Sequence, residues 1–180
     1  TADLGIQQLP VSGVVGNNGT VNNNTLIAQT YNPGIISTAA LPAAAFGGTD
    51  PDGVVTAILI TSLDVNIHSL TVGSVTYYKT AGDIPAICPT TTCSLFPVDG
   101  VIVPANASGQ PTVNIEFSPV STFIDGNLTL NYKVIDNASV ADGSGARSNN
   151  TTTLTIPIVA LKYDLTNGNG GWYNGGGVIG

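Results

Sequence analysis

An all-β fold, built as an antiparallel β-sandwich, is predicted by three features of this sequence. Polar and apolar residues alternate along Thr112-Val113-Asn114-Ile115-Glu116-Phe117, along Asn127-Leu128-Thr129-Leu130-Asn131-Tyr132-Lys133-Val134, and along Thr153 to Leu161. A period of two gives each segment one apolar face and one Asn/Thr/Lys face, which suits a sheet packed on one side and wet on the other. Turn-forming Gly, Pro, Asn and Asp separate these segments, no stretch carries a convincing helical period, and the count comes to about seven strands.

The expected organisation is an N-terminal arm (1–24), a sandwich domain (25–165) and a glycine-rich C-terminal arm (166–180). In the first arm, Leu4-Gly5-Ile6 and Val14-Val15 sit among glycines and asparagines that offer them no core, so the arm suits an added strand on another subunit or repeat. A first sandwich strand is expected within Thr25 to Thr38. The alanines of Leu41 to Phe46 favour helix, but Pro42 and the Gly47-Gly48 pair leave room for barely one turn.

The next stretch, Phe46-Gly47-Gly48-Thr49-Asp50-Pro51-Asp52-Gly53, is a turn carrying two carboxylates. Pro51 fixes φ at about −65° and Gly53 tolerates almost any φ. It feeds the buried strand expected over Val54 to Leu63. Ser69 to Lys79 reads as a hairpin turning at Val72-Gly73-Ser74. Thr80 to Gly100 is a long excursion containing Cys88 and Cys93, which a small disulfide-closed loop would staple; a zinc site would want further Cys or a His nearer than His68, which argues against metal–thiolate chemistry. The apolar faces of 113–117, 128–134 and 154–158 are expected to meet across one core. Pro157 cannot donate to a ladder, so its strand should be an edge or carry a bulge. The last arm holds the only tryptophan, in Trp172-Tyr173.

Composition narrows function. Only 8% of the 180 residues are charged while 42% are hydrophobic, which excludes the disordered class. A net charge of −7 argues against nucleic acid and anionic membrane surfaces as partners and leaves cations as natural ones. No apolar run reaches the roughly 18 residues of a membrane span, so no membrane insertion is expected. The chain opens on Thr1, which reads as a mature or excised end, and the disulfide suits an extracellular, cell-surface setting.

Several of these pieces stand in a familiar order. The Gly48-Thr49-Asp50-Pro51-Asp52-Gly53 turn and its Ile-rich strand are followed by the Val72-Gly73 turn, then Ile115-Glu116-Phe117-Ser118-Pro119, then Phe123-Ile124-Asp125-Gly126-Asn127 through Val134-Ile135-Asp136-Asn137. Over roughly residues 40 to 160 this resembles the cadherin-like, immunoglobulin-fold repeats of large bacterial surface proteins and adhesins, as a pattern of turns and alternation. The resemblance implies a secreted, often tandemly repeated module with calcium rigidifying the repeat ends, and it maps Asp50, Asp52 and Asp136 onto the metal-binding positions. The chain departs from the pattern in Asn137 to Ala141, inserted before Asp142-Gly143, in the cysteine loop, and in both arms.

Calcium takes six to eight hard oxygens, which clustered Asp on a glycine-permitted turn can begin to supply. Asp-Pro-Asp-Gly is equally a good β-turn whose Asp side chains cap their own backbone. Glu116, the only glutamate, reads as a solvated strand residue rather than half of a glycosidase pair, and His68 lacks a nucleophile motif. Asn-x-Ser/Thr sequons at Asn18, Asn23, Asn106, Asn127, Asn137, Asn149 and Asn150 carry little weight in so Asn/Thr-rich a chain. Trp172 and Tyr173 suit stacking on a sugar ring or plugging a neighbouring groove. The expected role is a structural, non-enzymatic module of a surface protein or fibre, its partners being copies of itself or neighbouring repeats. The alternative is an adhesin module binding glycans or a host surface.

Overall fold

The computed structural model describes residues 8–27, 29–31, 38–123, 125–138, 147–148, 150–160, 162–163, 172–174 and 177–179, with backbone alone for 29–31, 159–160 and all from 162 onward. The strands are β1 (Val11–Ser12), β2 (Val21–Asn22), β3 (Thr25–Leu26), β4 (Gln29–Tyr31), β5 (Ala39–Leu41), β6 (Gly48–Thr49), β7 (Val55–Leu63), β8 (Ile67–Val72) and β9 (Val75–Tyr78). They continue with β10 (Cys93–Leu95), β11 (Val101–Pro104), β12 (Ile115–Pro119), β13 (Gly126–Asp136), β14 (Thr152–Ala160), β15 (Lys162–Tyr163), β16 (Trp172–Asn174) and β17 (Gly177–Ile179). The predicted all-β class is what the chain adopts. Helix among the described residues is limited to single 3-10 turns at Ala43–Ala45, where Pro42 and the glycine pair leave room for no more, and at Ala81–Asp83.

Two sheets face each other. One runs β10-β9-β8-β12-β5; the other runs β11-β7-β13-β14-β3-β2, with β4 also on β14. The long alternating segment becomes β13, whose Leu128, Leu130, Tyr132 and Val134 all point inward and are fully buried. They pack in one cluster with Ile58 and Ile60 of β7, Leu154, Ile156 and Ile158 of β14, and, from the opposing sheet, Ile67, Leu70, Ile115 and Phe117. Each such side chain stabilises the fold by about 1.5–3 kcal/mol through removal from water. On the outer face of the larger sheet, Ala57, Leu59 and Ile135 form a small second cluster. The β8–β9 hairpin pairs Val72 with Val75 around Gly73, which takes φ +59°, a conformation glycine tolerates and β-branched residues do not.

Two expectations are corrected. Val113 was expected in the core but is 36% exposed, because Thr112 is tied back to Pro104 through both its N–H and its hydroxyl, and β12 begins only after that loop. Pro157 is on neither an outermost strand nor a bulge. It sits opposite Asn127 with no register shift, and β14 is flanked on both sides. Thr155 donates its N–H to Asn24, so two residues on the ring nitrogen of Pro157 points to the same side. It meets the break between the Thr25–Thr155 and Gln29–Ile158 pairings, where no ladder bond is required.

Over residues 8–24, the expected arm lies against the chain's own sandwich. β1 pairs with β6, β2 pairs with β3, and Val21 is fully buried in the main core. Asn150 secures this segment by acting as a substitute strand partner. Its Oδ1 accepts the Ser12 N–H at 3.0 Å and its Nδ2 donates to the Ser12 carbonyl at 2.8 Å. The buried Ser12 and Thr152 hydroxyls bond each other at 2.8 Å. Within the expected C-terminal arm, β16 pairs with β15 and β17 in a three-stranded sheet.

Candidate functional site: the acidic pole

The turn between β6 and β7 lies beside the end of β13, and this neighbourhood holds all three acids mapped to metal binding. Val54 ties the two segments together in both directions: its N–H donates to Asn137 Oδ1 at 3.1 Å, and its carbonyl accepts the Asn137 N–H at 3.0 Å. Each acid also accepts a backbone N–H, locally at Asp50 and Asp136 and from the distant N-terminal segment at Asp52. Asp50 Oδ1 accepts the Asp52 N–H at 3.4 Å, Asp52 Oδ2 accepts the Gln8 N–H at 2.8 Å, and Asp136 Oδ1 accepts the Ala138 N–H at 2.8 Å. The Asp50 and Asp136 bonds, each to a residue two further on, are capping contacts of well-formed turns, whereas the Asp52 bond fastens the N-terminal segment to the pole.

The three acids differ in exposure. Asp52 is exposed, Asp50 half-buried and Asp136 almost fully buried. Gly53 makes the close packing feasible, since a Cβ there would fall 2.5 Å from both Asp50 Oδ2 and Asn137 Oδ1. Asp50 Oδ2 is enclosed and accepts no hydrogen bond among the described residues. Partial burial raises the pKa of Asp50; the Asp52 N–H bond lowers it, and the side chain of Asp52 and the charge of Asp136 raise it further.

The neighbourhood brings negative charge to one end of the sandwich without a complete coordination set. Among the described residues no three of His, Cys, Asp and Glu are gathered as a metal ion requires. What the described contacts do is shape and fasten a turn.

Beside the pole, three backbone segments cross at glycines. Gly13 donates to the Gly47 carbonyl at 2.9 Å and Gly48 donates to the Ser108 carbonyl at 3.0 Å. A Cβ on Gly109 would collide with the Gly48 nitrogen, so only glycine permits that approach. Tyr132 reaches this crossing from the core. Its hydroxyl accepts the Gly47 N–H at 3.2 Å and donates to the Gly47 carbonyl at 3.3 Å, while its ring meets Phe46 edge-on at 5.2 Å. Burial pushes the Tyr132 phenol up to about 12, so it keeps its proton for that bond. The crossing lines an open cavity of about 290 Å³ with Gly13, Asn18, Phe46 and Ser108 among its walls.

The remaining site expectations fall elsewhere. Cys88 and Cys93 are joined in a disulfide, with Cα atoms 5.9 Å apart, at the edge of the five-stranded sheet. Trp172 and Tyr173 are on β16, and their side chains lie outside the described residues. His68 stands 3.8 Å from Asp83 with its ring edge-on to Tyr78, and Glu116 is half-buried on β12. The Asn150–Ser12 clasp had no sequence signal: Asn150 stands in an Asn/Thr run, and its partner is 138 residues away. No protein-family model, curated protein or solved structure matches this chain.

Proposed function

We propose that the chain is a structural module of an extracellular surface protein or fibre, joining neighbouring units through the edges of its sandwich. The observation that carries this reading is the position of its exposed aliphatic side chains. Leu95 is exposed on edge strand β10, Val98 is fully exposed in the connection that follows, and Ile102 is exposed on edge strand β11. Exposed apolar side chains at sheet margins suit contact with another strand, where main-chain bonds supply affinity and alternate side chains fill grooves. Head-to-tail contacts of this kind do not close and so generate open arrays. The Cys88–Cys93 bond supports an oxidising setting, and no described helix is long and apolar enough to cross a membrane.

Calcium at the acidic pole belongs to the proposal on the strength of the charge that Asp50, Asp52 and Asp136 bring to one end. Binding only to the folded state raises the melting temperature by mass action. Millimolar calcium added to metal-stripped protein is therefore expected to raise it, and Asp50→Ala with Asp52→Ala to abolish the rise. An unchanged melting temperature in the unaltered chain reduces these acids to turn formers.

A further inference from the structure

The five-stranded sheet ends on a strand that arrives by an unusual route. β9 stops at Tyr78, and the chain returns beside it only at Cys93, running parallel, with Cys93 opposite Thr76 and Leu95 opposite Tyr78. Parallel neighbours need a long crossover. Here the crossover contains a single 3-10 turn and no strand, so it contributes little stiffness of its own. The ladder is closed at its two ends by Thr76 N–H donating to the Thr92 carbonyl and Phe96 N–H donating to the Tyr78 carbonyl, both at 2.8 Å.

Those two bonds fix which backbone groups face outward. Thr92 and Phe96 turn toward β9, so with a period of two Ser94 does the same, while Cys93 and Leu95 turn away. One backbone group of each outward residue is taken up locally. The Cys93 N–H donates to the Pro89 carbonyl at 2.9 Å inside the disulfide loop, and the Leu95 carbonyl accepts the Ser94 hydroxyl at 3.2 Å. Thr92 reinforces the loop by giving both its N–H and its hydroxyl to Pro89. Cys93 is buried under the strand it begins, whereas Cys88 is only half-buried.

We propose that the Cys88–Cys93 bond is a redox-sensitive latch on the margin of the five-stranded sheet. Closed, it seats β10 on β9; opened, it releases β10 and makes β9, with Tyr77 and Tyr78, the margin of that sheet. A dithiol is the co-reactant. One of its thiolates attacks Cys88 Sγ, the more accessible sulfur, forming a mixed disulfide while Cys93 leaves as thiolate with the bonding electron pair. The second thiolate of the reductant attacks its own sulfur in that mixed disulfide and expels the Cys88 thiolate. The reductant departs as a cyclic disulfide, and its two protons pass to the two cysteines. The latch moves one of the margins that the structural-module proposal uses, but its test reads exchange at β9 and β10 and not assembly, so either can fail without the other.

Amide hydrogen exchange on the folded full chain, with and without dithiothreitol, tests this. Reduction is expected to speed exchange at Thr76 and Phe96, the amides that bridge β9 and β10, by tenfold or more, while Leu130 and Leu154 in the larger sheet keep their rates. The Cys88→Ser/Cys93→Ser double variant should match the reduced chain without reductant and ignore its addition. Unchanged exchange at Thr76 and Phe96 after reduction overturns the proposal, because β10 then stays seated without the bond. Equal acceleration at all four amides also overturns it, by making the bond a staple of the whole domain.

Discussion

Replacing Tyr132 with Phe removes one oxygen from the point where the core meets the glycine crossing, and the structure sets the size of the effect. The ring stays fully buried against Phe46, so the hydrophobic contribution is kept. The Gly47 carbonyl also keeps a partner, because Gly13 donates to it at 2.9 Å. The Gly47 N–H loses the hydroxyl at 3.2 Å, and Gly47 is itself buried. A buried donor left unsatisfied costs about 1–3 kcal/mol; the length of the lost bond favours the lower half, about 1–2 kcal/mol. For a domain of this size that corresponds to a melting temperature lower by roughly 2–8 °C. Tyr132→Ala also removes the ring and should cost about 3–5 kcal/mol. Chemical denaturation and thermal melts of both variants measure the pair. A neutral or stabilised Tyr132→Phe would refute the reasoning, since Gly47 would then not depend on the phenol.

Three further outcomes follow from other parts of the molecule. Asn150→Ala breaks both bonds to the Ser12 backbone and should lower stability by about 1–3 kcal/mol, with exchange of residues 8–14 accelerating before the rest. Deleting residues 1–24 should destabilise the sandwich itself, since it removes Val21, worth about 1.5–3 kcal/mol of burial, and the Asn24 carbonyl that accepts from Thr155. The raised pKa of Asp50 means that the folded chain holds that proton more tightly than the unfolded one. Its stabilising share is complete below the ordinary value of 3.8 and is lost as pH rises through the folded value. Asp50→Asn in metal-free buffer should therefore be neutral near pH 3 and stabilising at pH 7, by roughly a few tenths of a kcal/mol once solvent screening of a half-buried carboxylate is counted.

Much of the sandwich was legible because long alternating segments state which face is buried. Leu128, Leu130, Tyr132 and Val134 sit where the alternation puts them, as do Leu154, Ile156 and Ile158, and the Val72-Gly73-Ser74 turn closes the hairpin it predicts. The failures came where pairing is set by distant partners. Val113 fits the alternation of its neighbours, but Pro104 holds Thr112 out of the ladder. β1, β2 and β3 are two residues long, too short to show any period, so the N-terminal segment read as an arm although Asn150 and β6 hold residues 11–12 in place. β10 was hidden for the same reason inside a proline-containing excursion whose parallel return no local pattern announces. At the acidic pole the turn was legible and its coordination chemistry was not, since Gly53 allows the same packing of carboxylates whether they hold an ion or only their own backbone.

The proposed role as a joining module is tested most directly by the state of the purified, oxidised chain across a wide concentration range. Multi-angle light scattering, followed by negative-stain microscopy, should show mass rising with concentration into linear assemblies, and Leu95→Lys with Val98→Lys should return them to monomers. A chain that stays monomeric and free of filaments from micromolar to millimolar concentration contradicts the account.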